Sequence, residues 1–433
     1  MMKKEISIFW FRRDLRLYDN AGLHHALNDN APTLLLFIFD TDIITELKED
    51  DARVTFIYDQ LEKINDQLGK VNSSLLVKIG KPFEVYQSLE QEYDIKGLYA
   101  NEDYEPYAIK RDQKIGDYFH QKNIPFYQFK DQVIFAKDEV LKKDGKPYTV
   151  FTPFKNQWLK KFDSSKTLEY KVELSTSNVI QAQLDFPSLS DIGFSRSEIK
   201  VLDYKIDHLE GYDVDRDIPS KKRTSNLSVH LRFGTVSIRE LVYKVQDHAS
   251  FFSELIWREF FMQILYHFPD VIHTSFKKKY DHIEWRNNEQ EFEKWKQGQT
   301  GYPIVDAGMR ELNKTGYMHN RVRMVVASFL CKHLLIDWRW GEAYFAEKLL
   351  DFELSSNNGN WQWAAGTGCD AAPYFRVFNP TAQTKKFDPD FKYIKKWVPE
   401  FNGFGYPQPM VDHKMARQRA LDVYKYGLAL SEV

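Results

Sequence analysis

A chain of 433 residues with 43% hydrophobic side chains and a formal net charge of −2 is long enough for two or more domains and a large buried core. Near-neutral charge excludes a protein that grips nucleic acid by global electrostatic attraction, so any such contact must be local. Two cysteines, Cys331 and Cys369, are too few for a disulfide framework and are not spaced as a metal site, and no stretch reads as a spanning helix or a cleavable signal; the expectation is a cytoplasmic protein with no membrane association.

The first predicted strand is ISIFWF at 6–11, and TLLLFIFD at 33–40 and SLLVKIG at 74–80 follow, separated by helix-length segments. This alternation is the pattern of a parallel sheet covered on both faces. The sheet region carries neither GxGxxG nor GxxxxGK, so a nicotinamide or P-loop enzyme is not expected. Between about 150 and 210 the text turns polar and irregular, as in DSSKTLEYKVELSTSN, which marks a long surface connection and the junction between domains. From about 225 the hydrophobic period becomes helical, in SIRELVYKV, SELIWREFFMQILYHF and NRVRMVVASFLCKHLLIDW, so the second domain is predicted to be nearly all helix.

Four stretches of that second domain hold candidate chemistry. RTSNLSVHLRFGTVS (223–237) clusters hydroxyls and backbone donors before a helix, which suits a phosphate and equally suits an N-cap series. In ELIWREF, Glu254, Trp257 and Arg258, with Phe261 just beyond, fall at i, i+3, i+4 and i+7, so a carboxylate, an indole and a guanidinium share one face; a Glu–Arg pair at the edge of an amphipathic helix has the same pattern. In MHNRVRM, Asn320, Arg323 and Met324 share another face, and the arginine calls for a carboxylate, for which Asp351 and Glu353 are candidates. The segment 355–380, dense in Asn, Gly, Trp and Ala, suits close backbone approach to a flat ligand. Eight of the ten tryptophans lie between 257 and 397.

Together these stretches resemble the photolyase and cryptochrome family, specifically its class I photolyases for cyclobutane pyrimidine dimers. The resemblance runs through WFRRDLRLYDN, YTVFTPFKNQWLK, TSNLS, ELIWREF, TGYPIVDAGMRELNKTGYMHNRVRM, DWRWGEAYF, NNGNWQWAAGTGCDAAPYFRVFNPTAQ and KKFDPD, covering nearly the whole chain. It implies an α/β N-terminal antenna domain with a parallel, Rossmann-like sheet (1–135), a linker (136–205) and an all-α FAD-binding catalytic domain (206–433). The implied activity is light-dependent repair of ultraviolet-damaged DNA, a carbon–carbon lyase reaction, by a monomer that needs no protein partner.

The resemblance also implies roles for single residues. Tyr212 and the run Thr224, Ser225, Asn226, Leu227 and Ser228 would hold FAD, with Arg323, Asp351, Phe352 and Glu353 meeting the flavin; the family usually has Asp where Glu353 stands, a departure that adds one methylene. Asn357 would face the reactive ring nitrogen. Trp257 and Trp363 would form walls for the flipped dimer, Glu254 and Asn320 would bond its base edges, and Met324 would fill the floor. Arg216, Arg258, Arg321 and Gln383 would contact the DNA strand, with the helix from Glu254 to Phe261 at the rim. Trp361, Trp338 and Trp285 match the family's electron chain for reducing oxidised flavin. Folate-binding members carry adjacent Asn and Glu where this chain has Tyr107 and Ala108, which leaves a second antenna chromophore, of folate or deazaflavin type, open.

Overall fold

Branched and aromatic residues crowd the apolar runs at the start of the chain, and there they pair as strands. The computed structural model describes residues 3–207, 209–221 and 223–431. Contacts divide the chain into a first unit (Met1–Glu139, Trp158–Tyr204 and Asn226–Phe252) and a second (Val140–Gln157, Lys205–Ser225 and Ser253–Val433). The chain thus enters the second unit at 139/140, returns to the first at 157/158, enters the second again at 204/205 and returns once more for 226–252.

In the first unit, β1 (Lys4–Phe11), β2 (Thr33–Asp40), β3 (Leu76–Gly80), β4 (Tyr93–Asn101) and β5 (Phe126–Phe129) form one sheet of order β3-β2-β1-β4-β5. Every pairing is parallel, with Ile8 opposite Leu34 and Leu98. All eight residues of β2 are buried, the signature of a strand covered on both faces. The strand order reverses between β1 and β4, where open parallel sheets place their ligand crevice. Here Arg12, just past β1, bonds the Asn101 carbonyl at the end of β4 and the Asp112 carboxylate, and the Arg12 and Arg111 guanidiniums lie 5.0 and 4.6 Å from the centre of the Trp10 ring. Residues 226–252 belong to this unit because Arg239 is buried between Asp19 and Asp131, at 2.8 Å from each, while Arg16 meets Asp131 at 2.7 Å.

The connection expected to be irregular contains a helix, Phe151–Lys161. Phe154 and Trp158, one turn apart, are each 1% exposed, and that apolar pair at helical spacing is what the polar flanks hid. The second unit is helical, with a core around Trp295, Val322, Phe329, Trp338 and Trp361. The helix Asn320–Ser328 runs into a π-helical turn, Phe329–His333, and Trp338–Lys348 packs beside Leu354–Ala365. Two glycines set those distances. A methyl group on Gly341 would fall 2.2 Å from the Trp361 ring, and one on Gly359 would fall 2.2 Å from the Phe261 ring. No helix among the described residues is long and apolar enough to cross a membrane.

Candidate functional site

Two helix starts aim side chains into one space in the second unit. His319 caps Asn320–Ser328, its ring accepting from the Arg321 N–H at 3.2 Å, so Asn320, Arg323 and Met324 emerge in the first turn and a half. Glu353 caps Leu354–Ala365, accepting from the Ser356 N–H at 2.9 Å and the Ser355 hydroxyl at 2.6 Å. Between them opens a cleft whose non-atom space, with the solvent at its mouth included, is about 600 Å³. Asn320, Arg323 and Met324 line one side; Asp351, Phe352 and Glu353 line the end; Asn357, Trp361 and Trp363 line the other.

The polar groups of this cleft are fixed by pairing. Arg323 donates to Asp351 at 2.9 Å and to the Met318 carbonyl at 2.8 Å, so Asp351 is the carboxylate that the arginine called for. The Glu353 side chain turns back onto the first turn of its own helix. Asn357 donates its amide N–H groups to the carbonyl and the carboxylate of Glu342, both at 3.0 Å. Burial pushes the Glu342 carboxyl above its ordinary range against the pull of that bond, and burial drives His319 down to about 4, so its ring is neutral at pH 7.

FAD fits this donor set. Asp351 Oδ1, in the cleft lining beside Arg323, is a buried acceptor with no partner, where a donor of the cofactor would fit. The cleft also offers an indole, an amide and a guanidinium within one wall-to-wall space. Residues of the 224–228 run divide between the units. The Ser225 carbonyl accepts from Lys205 N–H in the second, while Asn226, at φ +53°, starts the seven-residue helix Leu227–Phe233 in the first. Thr224 and Ser228 are exposed, but Leu227 is buried.

Other expected residues lie outside the cleft lining. Glu254 pairs with Arg216 at 2.6 Å rather than with Arg258 on its own helix, and the Arg216 guanidinium lies 5.5 Å from the centre of the Tyr212 ring. Phe151 stacks on Trp257 at 3.6 Å between ring centres, so one indole face is already covered. Phe261, expected at the DNA rim, is 7% exposed and packs on Gly359; it joins helices and does not face a strand. Arg321 pairs with Asp217 at 2.8 Å and lies over the Phe387 ring. Trp361 and Trp338 are buried, and Trp285 is partly buried against Tyr424. Burial raises both thiols, Cys369 to about 11, consistent with neither being a nucleophile. Sequence reading missed Glu342, His319 and Asp217. His319 carried a signal, a ring just ahead of a helical period; Asp217 lies 104 residues from its partner and carried none.

Comparison with known proteins places this geometry. Residues 7–173 match the family model for DNA photolyase, and residues 251–405 match that for the FAD binding domain of DNA photolyase. A deoxyribodipyrimidine photo-lyase of Halobacterium salinarum is 35% identical over 97% of this chain and 99% of its own length. A crystal structure of a class III photolyase from Agrobacterium tumefaciens, 32% identical, superposes with a TM-score of 0.88 over 99% of this chain and 98% of that one. An archaeal photolyase from Sulfolobus tokodaii, solved with two FAD molecules, is 37% identical with a TM-score of 0.81 over 98% of this chain and 100% of that one. The chain belongs to the DNA photolyase and cryptochrome family and carries that family's FAD-binding domain.

Proposed function

We propose that this protein repairs cyclobutane pyrimidine dimers in ultraviolet-damaged DNA with light, in the manner of class I photolyases. The observation that carries the reading is the single cleft that joins Asn320, Met324 and Trp363 to Asn357 and the Arg323–Asp351 pair. A dimer inside a duplex cannot reach a flavin in such a cleft, so the lesion must leave the stack. When bound, reduced FAD supplies the electron that, after excitation, splits the cyclobutane ring and is then recovered.

The chain's own residues hold and orient. Tyr212, Thr224, Ser225, Arg323, Asp351 and Phe352 hold the cofactor. Asn320 bonds a base edge and Met324 with Trp363 supplies apolar floor and wall; Glu254 and Trp257 complete the lesion contacts. Arg216, Arg258, Arg321 and Gln383 take the strand. A second chromophore remains part of the proposal, and a folate is disfavoured: Tyr107 spends its hydroxyl on Asp40 at 2.6 Å, and Ala108 is buried.

The test is a dimer-containing oligonucleotide incubated with the FAD-loaded, reduced protein in blue light and in the dark. Intact pyrimidines are expected in the light only. Lesion binding without recovery in light would favour a signalling cryptochrome instead, the family's other activity.

A further inference from the structure

Three arginines gather around His319: Arg216, Arg321 and Arg323 each act on its ring, as does Asp217. Each arginine is matched by one carboxylate of this chain, Arg216 by Glu254 at 2.6 Å, Arg321 by Asp217 at 2.8 Å and Arg323 by Asp351 at 2.9 Å. The cluster is therefore charge-balanced before any DNA arrives. The Arg323 pair closes on a buried carboxylate, Asp351 being 5% exposed, but the Arg321 pair is open, with Asp217 36% exposed. Arg321 is also held from behind, its guanidinium 4.4 Å from the centre of the Phe387 ring and one nitrogen 3.6 Å from Met324 Sδ. Its backbone neighbour Asn320 lines the cleft, as does Met324 one turn on.

We propose that Asp217 is a specificity-determining residue that occupies Arg321 in place of a backbone phosphate. The inference rests on the reading that Arg321 contacts the damaged strand. An undamaged duplex, with nothing in the cleft, meets Arg321 only as one loose ionic contact among several. It must compete with a carboxylate already in place at hydrogen-bonding distance. A flipped lesion seated on Asn320 and Met324 fixes its own strand beside Arg321, and that phosphate then displaces Asp217. The arginine is counted in damaged binding and silent in undamaged binding, which suits a nearly neutral protein searching a large excess of intact DNA.

The difference is readable as salt dependence, because each phosphate neutralised adds about 0.9 to the slope of log affinity against log salt on duplex DNA. Anisotropy in the dark, with matched dimer-containing and intact duplexes, should give the steeper slope for damaged DNA. In Asp217→Asn the intact-duplex slope should steepen by about 0.9, with affinity up to about fivefold higher at low salt, as expected for releasing an exposed pair. The damaged-duplex slope should not change, so preference for the lesion falls. Asp217→Glu keeps the charge and should keep the wild-type slopes, and flavin absorbance in both variants checks that the site is folded. If Arg321→Ala flattens the damaged slope but Asp217→Asn leaves the intact slope at the wild-type value, Asp217 has no such role. If Arg321→Ala flattens neither slope, the strand contact itself is wrong and the inference goes with it.

Discussion

Trp361 borders the cleft on one side and is sealed on the other, 2% exposed, with Phe345 edge-on at 4.9 Å and Trp295 at 6.2 Å. A buried indole can pass an electron without meeting water, which suits the role proposed for Trp361 in reducing the cofactor. Trp338 has no partner for its Nε1 and carries the Arg339 guanidinium 4.7 Å from its ring centre. That guanidinium is itself paired with Asp337 at 2.9 Å, so its charge does not bar Trp338 from the proposed electron path to the partly buried Trp285. Trp361→Phe removes the first oxidisable ring and should abolish photoreduction of oxidised FAD while leaving dimer splitting intact once the flavin is reduced chemically. Photoreduction at the wild-type rate would show that electrons enter by another path.

At the scale of elements, the helix Leu354–Ala365 carries one side of the cleft, and its start depends on Glu353. A glutamate is an unusual N-cap, yet here both oxygens are engaged by the first turn. Glu353→Ala should cost about 1 kcal/mol of stability by urea unfolding, and flavin retention should fall with it, because Asn357 ends that turn and Trp361 follows one turn on. Glu353→Asp caps normally and should restore both; an alanine variant with wild-type midpoint and flavin content would deny the cap any part in the site. This element also shows what sequence can yield. Its composition marked a ligand-facing segment, and the family pattern flagged Glu353 as a departure, but only coordinates show the side chain folded onto its own helix. β2 was legible to the residue since a strand buried on both faces is one unbroken apolar run. β4 and β5 were not singled out, because charges and a glycine interrupt YDIKGLYAN and FYQF is only four residues long. The cleft face of Asn320, Arg323 and Met324 followed from helical period, a local property. The pairings of Arg216 with Glu254 and Arg321 with Asp217 join distant segments, and no local pattern encodes them.

For the whole molecule, the two units have separate titration behaviour and separate optical signals. All eight tryptophans from Trp257 to Trp397 fall in the second unit, so intrinsic fluorescence reports mainly its unfolding. That unit also holds His319, driven down to about 4 by burial, whereas buried Asp14, pushed up to about 6, belongs to the first. The signs are opposite. A histidine with a lowered folded pKa binds its proton more readily when unfolded, so its contribution to stability is complete above about 6.5 and is lost as pH falls toward 4. Asp14 binds its proton more readily when folded and favours the folded first unit over the same interval. Raised carboxyls in the second unit, Asp306, Glu311 and Glu342, act in Asp14's direction, so the wild-type profile alone cannot isolate the histidine. His319→Asn can, because asparagine retains an acceptor for the Arg321 N–H and does not titrate. Urea unfolding followed by fluorescence should show the variant gaining on wild type as pH is lowered from 6.5 to 4, by at most about 1.4 kcal/mol per pH unit, the slope for one proton. Above pH 7 the difference should be constant. A difference that stays flat across the whole range would mean that His319 takes up its proton in the folded protein at an ordinary pH, and that the ring is not held neutral among the three arginines.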